Sequence, residues 1–132
     1  MTKPVGLELC SSRQIVHIRF PASVSALHVR NVVGQLTIGS IPVEYNTLLD
    51  FTETKHLDIP TMEMLDLAMK RRKMLPSHPP APVRTAMLGV SAAIADALDA
   101  WESFLTESPP VIVFARFDNE AQAIDWLTAR PA

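Results

Sequence analysis

Cysteine is nearly absent from this chain. The 132 residues include one, Cys10, so neither an internal disulfide nor a zinc site built of cysteines can form. Cys10 reads instead as a half-buried thiol in a strand. Glycine is scarce: there are four, and no glycine-rich loop to cradle a phosphate precedes a helix. Aromatic residues make up 6 % and the formal net charge is -2. Nucleic-acid binders need a basic surface, often with stacking aromatics, so no nucleic-acid partner is expected. Long hydrophobic runs are missing as well. The longest uncharged stretch, 31–43, is interrupted by Gly34, Gly39 and Pro42 and is too short to insert in a membrane. The opening "MTKPVGLELC" has no apolar core of signal-peptide length, and a soluble cytoplasmic protein is expected.

What is present is a globular composition, 48 % hydrophobic and 20 % charged, sized for a single domain over 1–132. Residues 5–10 and 14–20 read as two strands joined by the polar turn "SSR". In the second, Val16, Ile18 and Phe20 alternate with His17 and Arg19, as in a strand with one open face. After Pro21 the period lengthens: Val24, Leu27, Val29, Val32, Val33 and Leu36 mark a helix, with Ser23 as its cap. Residues 45–51 form a short strand. Pro60 opens a second helix, whose buried face is expected to hold Met62, Leu65, Ala68 and Met69. Met64 and Met74 fall off that stripe and are available to a partner surface. "LPSHPPAP", 75–82, is a stiff extended connector.

A strand over 84–90 follows. Ser91 then caps a helix with Ile94, Ala97, Leu98, Trp101, Phe104 and Leu105 at helical spacing, stopped by Pro109 and Pro110. "VIVFA", 111–115, is apolar on both faces and reads as a central buried strand. Asp118 or Asn119 caps a last helix carrying Ile124, Trp126 and Leu127. Both tryptophans read as core. An opening hairpin followed by β–α units predicts an α/β fold in two layers: a mixed, mostly parallel five-stranded sheet with four helices. If the β–α units all wind one way, the helices cover one face. The other face of "VIVFA" then needs cover, which a second copy of the chain would supply.

In open sheets of this kind the carboxyl ends of parallel strands form the usual ligand crevice. Here those ends carry Asp50, Thr52, Glu53, Thr54, Ser91, Arg116 and Asp118, and the loop before the second helix adds Asp58 and Thr61. His56 and Asp58 stand two apart, with Asp50 and Glu53 upstream, but no helical His pair or Glu-x-x-His completes a metal set. No Gly-x-Ser-x-Gly elbow occurs, and the four histidines lie in four different elements. No catalytic residue, metal or cofactor is therefore assigned. The run "KRRK", 70–73, suits a helix C-terminus or contact with an acidic partner or anionic head group.

The order of elements, with "LLDFTETKHLDIPTME" and "VFARFDNEAQAIDWL", resembles the SpoIIAA-like proteins of the STAS/SEC14 fold group. Many of these are small bacterial proteins of unknown function. They commonly have an Asp-ended central strand, a second Asp before the next helix, a basic patch closing that helix, and Ala-x-x-Trp-Leu near the end. The matching residues are Asp50, Asp58, the 70–73 run, and Ala123 with Trp126 and Leu127. The resemblance implies a two-layer SpoIIAA-like fold. It also implies a non-enzymatic regulatory or interaction module, acting through a homodimer or a partner protein. The alternative it implies is a small-ligand or lipid-binding domain of the SEC14-like branch, taking an anionic or lipid ligand in an apolar cavity. Better-known members are switched by phosphorylation of a hydroxyl just after the second Asp. This sequence has Ile59 and Pro60 there, with Thr61 displaced by one residue.

Overall fold

The computed structural model describes residues 5–79, 81–107 and 109–129. Strands β1 (Gly6–Cys10) and β2 (Ile15–Arg19) form the expected hairpin, and Gln14 takes a positive φ of 55° in its turn. The chain continues through β3 (Ser23–Ser25), α1 (Ala26–Thr37), β4 (Asn46–Asp50), β5 (His56–Asp58) and α2 (Thr61–Lys73). It ends with β6 (Val83–Leu88), α3 (Ala92–Leu105), β7 (Ile112–Phe117) and α4 (Glu120–Thr128). The main sheet has the order β1-β2-β4-β6-β7, antiparallel at the hairpin and parallel elsewhere.

Two elements were not expected. β3 and β5 pair in parallel as a separate two-stranded ribbon, Ser23 to His56 and Ser25 to Asp58. This pairing delays the first helix, so its cap is Ser25 rather than Ser23, and the Ser25 amide donates to His28 Nδ1 at 3.0 Å. At the last helix Asn119 is the cap, accepting from the Gln122 amide at 3.1 Å.

Strand alternation divides the core into two. Val16, Ile18 and Met87 face α1 and α3, where they pack with Val32, Leu36, Ile94 and Leu98. Their neighbours Ile15, Leu48, Ala86 and Leu88 point the other way and meet Ala123 and Leu127 of α4. Helices α1–α3 thus make the principal layer on the sheet, and α4 lies alone on the opposite face. This corrects the expectation of helices on one face only. Over β1 and β2 the α4 face carries Glu8, His17 and Arg19, so no bare apolar face remains there for a second copy to cover.

The position of "VIVFA" is also corrected. β7 is an edge strand: Phe114 packs toward α3, Val113 and Ala115 on the other face are half-buried, and Phe117, just past the run, meets Trp126 of α4 with ring centroids 5.7 Å apart. On α2 the buried stripe is Met64, Leu67, Ala68 and Arg71. Met62 is 75 % exposed and Met69 37 %, so of the expected face only Ala68 is fully buried, and Met64 lies in the core rather than on a partner surface. The two stripes are equally helical in spacing. The true one contains an arginine, which apolar periodicity passes over. Leu27, assigned to the buried face of α1, is 58 % exposed.

Candidate functional site

The strand ends converge as the alternation requires. Each parallel strand is prolonged by one bond to its neighbour: Phe20 N to Asp50 O, Phe51 N to Leu88 O, and Gly89 N to Phe117 O, at 2.8–3.0 Å. Gly89 has φ +72°, and a Cβ there would lie 2.7 Å from Thr52 Cγ2, so the loop after β6 rests directly on the loop after β4.

Asp50 is the centre of this end. Its Oδ1 accepts from the Thr52 amide at 3.0 Å and the Thr52 hydroxyl at 2.7 Å, and its Oδ2 lies 3.3 Å from His17 Nε2. Burial pushes the carboxyl up, but the Thr52 donors and His17 outweigh it and hold Asp50 below the usual carboxylate range. Glu120, at the start of α4, places Oε1 3.8 Å from the same His17 nitrogen. His17, Asp50 and Glu120 are the one set of three or more metal-capable side chains among the described residues, and each is bonded or paired within the set. The set differs from the His56 and Asp58 pair weighed on sequence, whose side chains are exposed on β5. Neither His17 nor Glu120 was singled out by the sequence. Alternation put His17 on an open face, and only the pairing of β2 with β4 brings it to Asp50.

The remaining expected site residues separate. Thr54 is buried and donates its hydroxyl to Pro21 O at 2.9 Å, tying the loop to the end of β2 rather than facing a crevice. Arg116 turns to the α3 side, where Nη2 donates to Asp99 Oδ1 at 2.6 Å and to Glu102. Burial opposes its charge, but Glu102 and Asp99 outweigh that and raise its pKa, so this guanidinium is already occupied. Asp58, Thr61 and Ser91 are exposed at or just before the starts of α2 and α3.

The basic run is four separate situations. Lys70 pairs with Asp66 at 3.1 Å, Arg72 clamps Glu107 with Nε and Nη2, and Lys73 is exposed. Arg71 points inward. Its guanidinium donates to Val43 O at 3.2 Å, and burial alone lowers its pKa to about 10. It reaches a cavity of about 90 Å³ between the sheet and α1–α3, walled by side chains such as Val32, Leu49, Met64, Leu67 and Phe114. Ile59, at the expected switch position, lines the same cavity.

This arrangement is a SpoIIAA-like fold. Among the solved structures it is similar to, three match over 93 % of the chain. One is an uncharacterised protein of the DUF3478 family from Shewanella loihica PV-4, at 19 % identity, 91 % of that chain and a TM-score of 0.59. The others are the anti-sigma factor antagonist SpoIIAA in its unphosphorylated form and the Bacillus cell fate determinant SpoIIAA in its phosphorylated form. Their identities are 18 % and 16 %, over 96 % and 98 % of those chains, and both TM-scores are 0.53. No protein-family model and no curated protein matches the chain. Among the described residues no helix is long and apolar enough to cross a membrane.

Proposed function

We propose that this chain is a non-enzymatic regulatory module of STAS type that works by contact with a partner protein or a second copy of itself. One observation carries the reading. At the strand ends Asp50, Thr52, Thr54 and Arg116 are committed to internal bonds, while Leu27 and Met62 stand 58 % and 75 % exposed in the first turns of α1 and α2. The two helices are tied there by Arg30 and Glu63 at 3.5 Å. Large apolar groups left exposed on two adjoining helices suit protein contact, whereas polar groups already satisfied by one another favour no chemistry. The SpoIIAA neighbour, named an anti-sigma factor antagonist, acts on another protein, which agrees with this reading.

Sedimentation of the wild type and of a Leu27→Glu, Met62→Glu double variant tests it. The expected result is association at micromolar concentration that the double variant loses with unchanged circular dichroism. Self-association that survives both charges, or a monomer that yields no cross-linked species in its native host, contradicts it.

A second reading, binding of a small ligand or lipid, is favoured by the cavity against α2. Native mass spectrometry of freshly purified protein tests it, and a bare mass under conditions that retain weak ligands counts against it.

A further inference from the structure

We propose that the cavity between the sheet and α1–α3 binds a short aliphatic monocarboxylate, its head group on Arg71 and its chain among Val32, Leu49, Leu67 and Phe114. The proposal rests on the ligand-binding reading above and gives it a chemical class.

The first observation is the state of Arg71. It is 7 % exposed and has no carboxylate partner among the described residues. Its neighbours, the exposed Lys70 and the half-buried Arg72, do have acidic partners, Asp66 and Glu107. Within the run 70–73 the buried cation is thus left without an acidic partner while Lys70 and Arg72, beside it, have one. A buried charge is normally paired, because taking it out of water is costly otherwise. A guanidinium offers five N–H donors in a rigid fork that matches a carboxylate, and among the described residues the fork is used by the bond to Val43 O alone.

The second observation is the wall. Apart from Arg71, the polar residues lining the cavity are Thr47 and Thr85, on adjacent strands. An apolar enclosure with a few convergent polar groups is the usual form of a small-molecule site. The third is size and charge. A volume of about 90 Å³ is smaller than the roughly 150 Å³ cavity known to hold benzene, so it suits a chain of about four carbons. One negative charge balances Arg71. A dicarboxylate buries a second charge without a partner, a phosphate head brings roughly -1.5 to -2 against one cation, and an alcohol leaves the cation unpaired.

The test is isothermal titration of the full chain with butanoate, pentanoate and pentan-1-ol, repeated on Arg71→Met and Arg71→Lys. Pentanoate is expected to bind the wild type roughly tenfold or more tightly than the alcohol. Arg71→Met should abolish that preference while the alcohol still binds, and Arg71→Lys, which keeps the charge but loses the fork, should weaken it. If Arg71→Met does not fold, Arg71→Lys carries the comparison. Equal binding of acid and alcohol, or undiminished pentanoate binding by the variants, overturns the carboxylate assignment and leaves the ligand-binding reading standing. So does a long-chain lipid whose affinity ignores Arg71. No binding of any of the three probes, with a bare native mass, overturns both.

Discussion

Replacing Arg71 by methionine should leave the ligand-free protein at least as stable as the wild type. Most substitutions at a buried position that donates a hydrogen bond destabilise, so the prediction runs against the usual direction. Burial lowers the guanidinium from 12.5 to about 10, and each unit is worth ~1.4 kcal/mol, so holding the charge inside costs about 3 kcal/mol. Against this stands the bond to Val43 O, worth about 1.5–3 kcal/mol as a charged donor. Methionine keeps an unbranched apolar stem on the same stripe as Met64, Leu67 and Ala68. The net expectation is a gain of about 0–2 kcal/mol, or a rise in Tm of up to roughly 8 °C for a chain of this size. Because the folded pKa lies below the unfolded one, the penalty is fully present throughout the neutral range and fades only above about 10, so the gain should not vary near neutrality. Urea denaturation with the ligand-free protein measures it. A loss of more than about 1 kcal/mol would refute the reasoning and make Arg71 an anchor for the segment at Val43 rather than an unpaired charge.

Three further outcomes follow from the same geometry. Gly89→Ala forces a left-handed alanine against the Thr52 backbone, 2.9 Å from its Cα, and should cost about 2 kcal/mol or more by chemical denaturation. Asp50→Asn should cost about 1–3 kcal/mol at neutral pH; the folded pKa lies below 3.8, so the difference from wild type should shrink as pH falls below that value. Arg84→Ala removes donors to Trp126 O at 2.5 Å and Ala129 O at 2.7 Å and a guanidinium lying 5.7 Å from the Trp126 ring centroid. It should cost about 1–2 kcal/mol and speed hydrogen exchange in α4 before the rest of the chain, as read by mass spectrometry.

The fold was legible because its elements are long and clearly separated. The alternation in β2, the helical spacing around Leu98, and the prolines at 60, 109 and 110 each act locally, and local signals survive in a single sequence. β3 and β5 are three residues each and exist because they pair with one another, which no local pattern reports. The edge position of β7 was hidden because a run of apolar residues does not report how many neighbours a strand has: β7 is mostly half-buried, while the central strand β6 is mostly buried. The candidate site was less legible. Asp50 and Thr52 lie where the loop pattern put them, but His17 is 33 residues away and arrives through sheet pairing. Arg71 reads as one charge in a solvated run, and only the rotation of α2 on the sheet turns it inward.

The most direct test of the proposed contact surface is a photo-cross-linking amino acid placed at position 62 and, as a control, at the exposed position 53, in the native host. The account predicts a discrete cross-linked species from position 62 and none from position 53. No adduct at either position, or equal adducts at both, would contradict it.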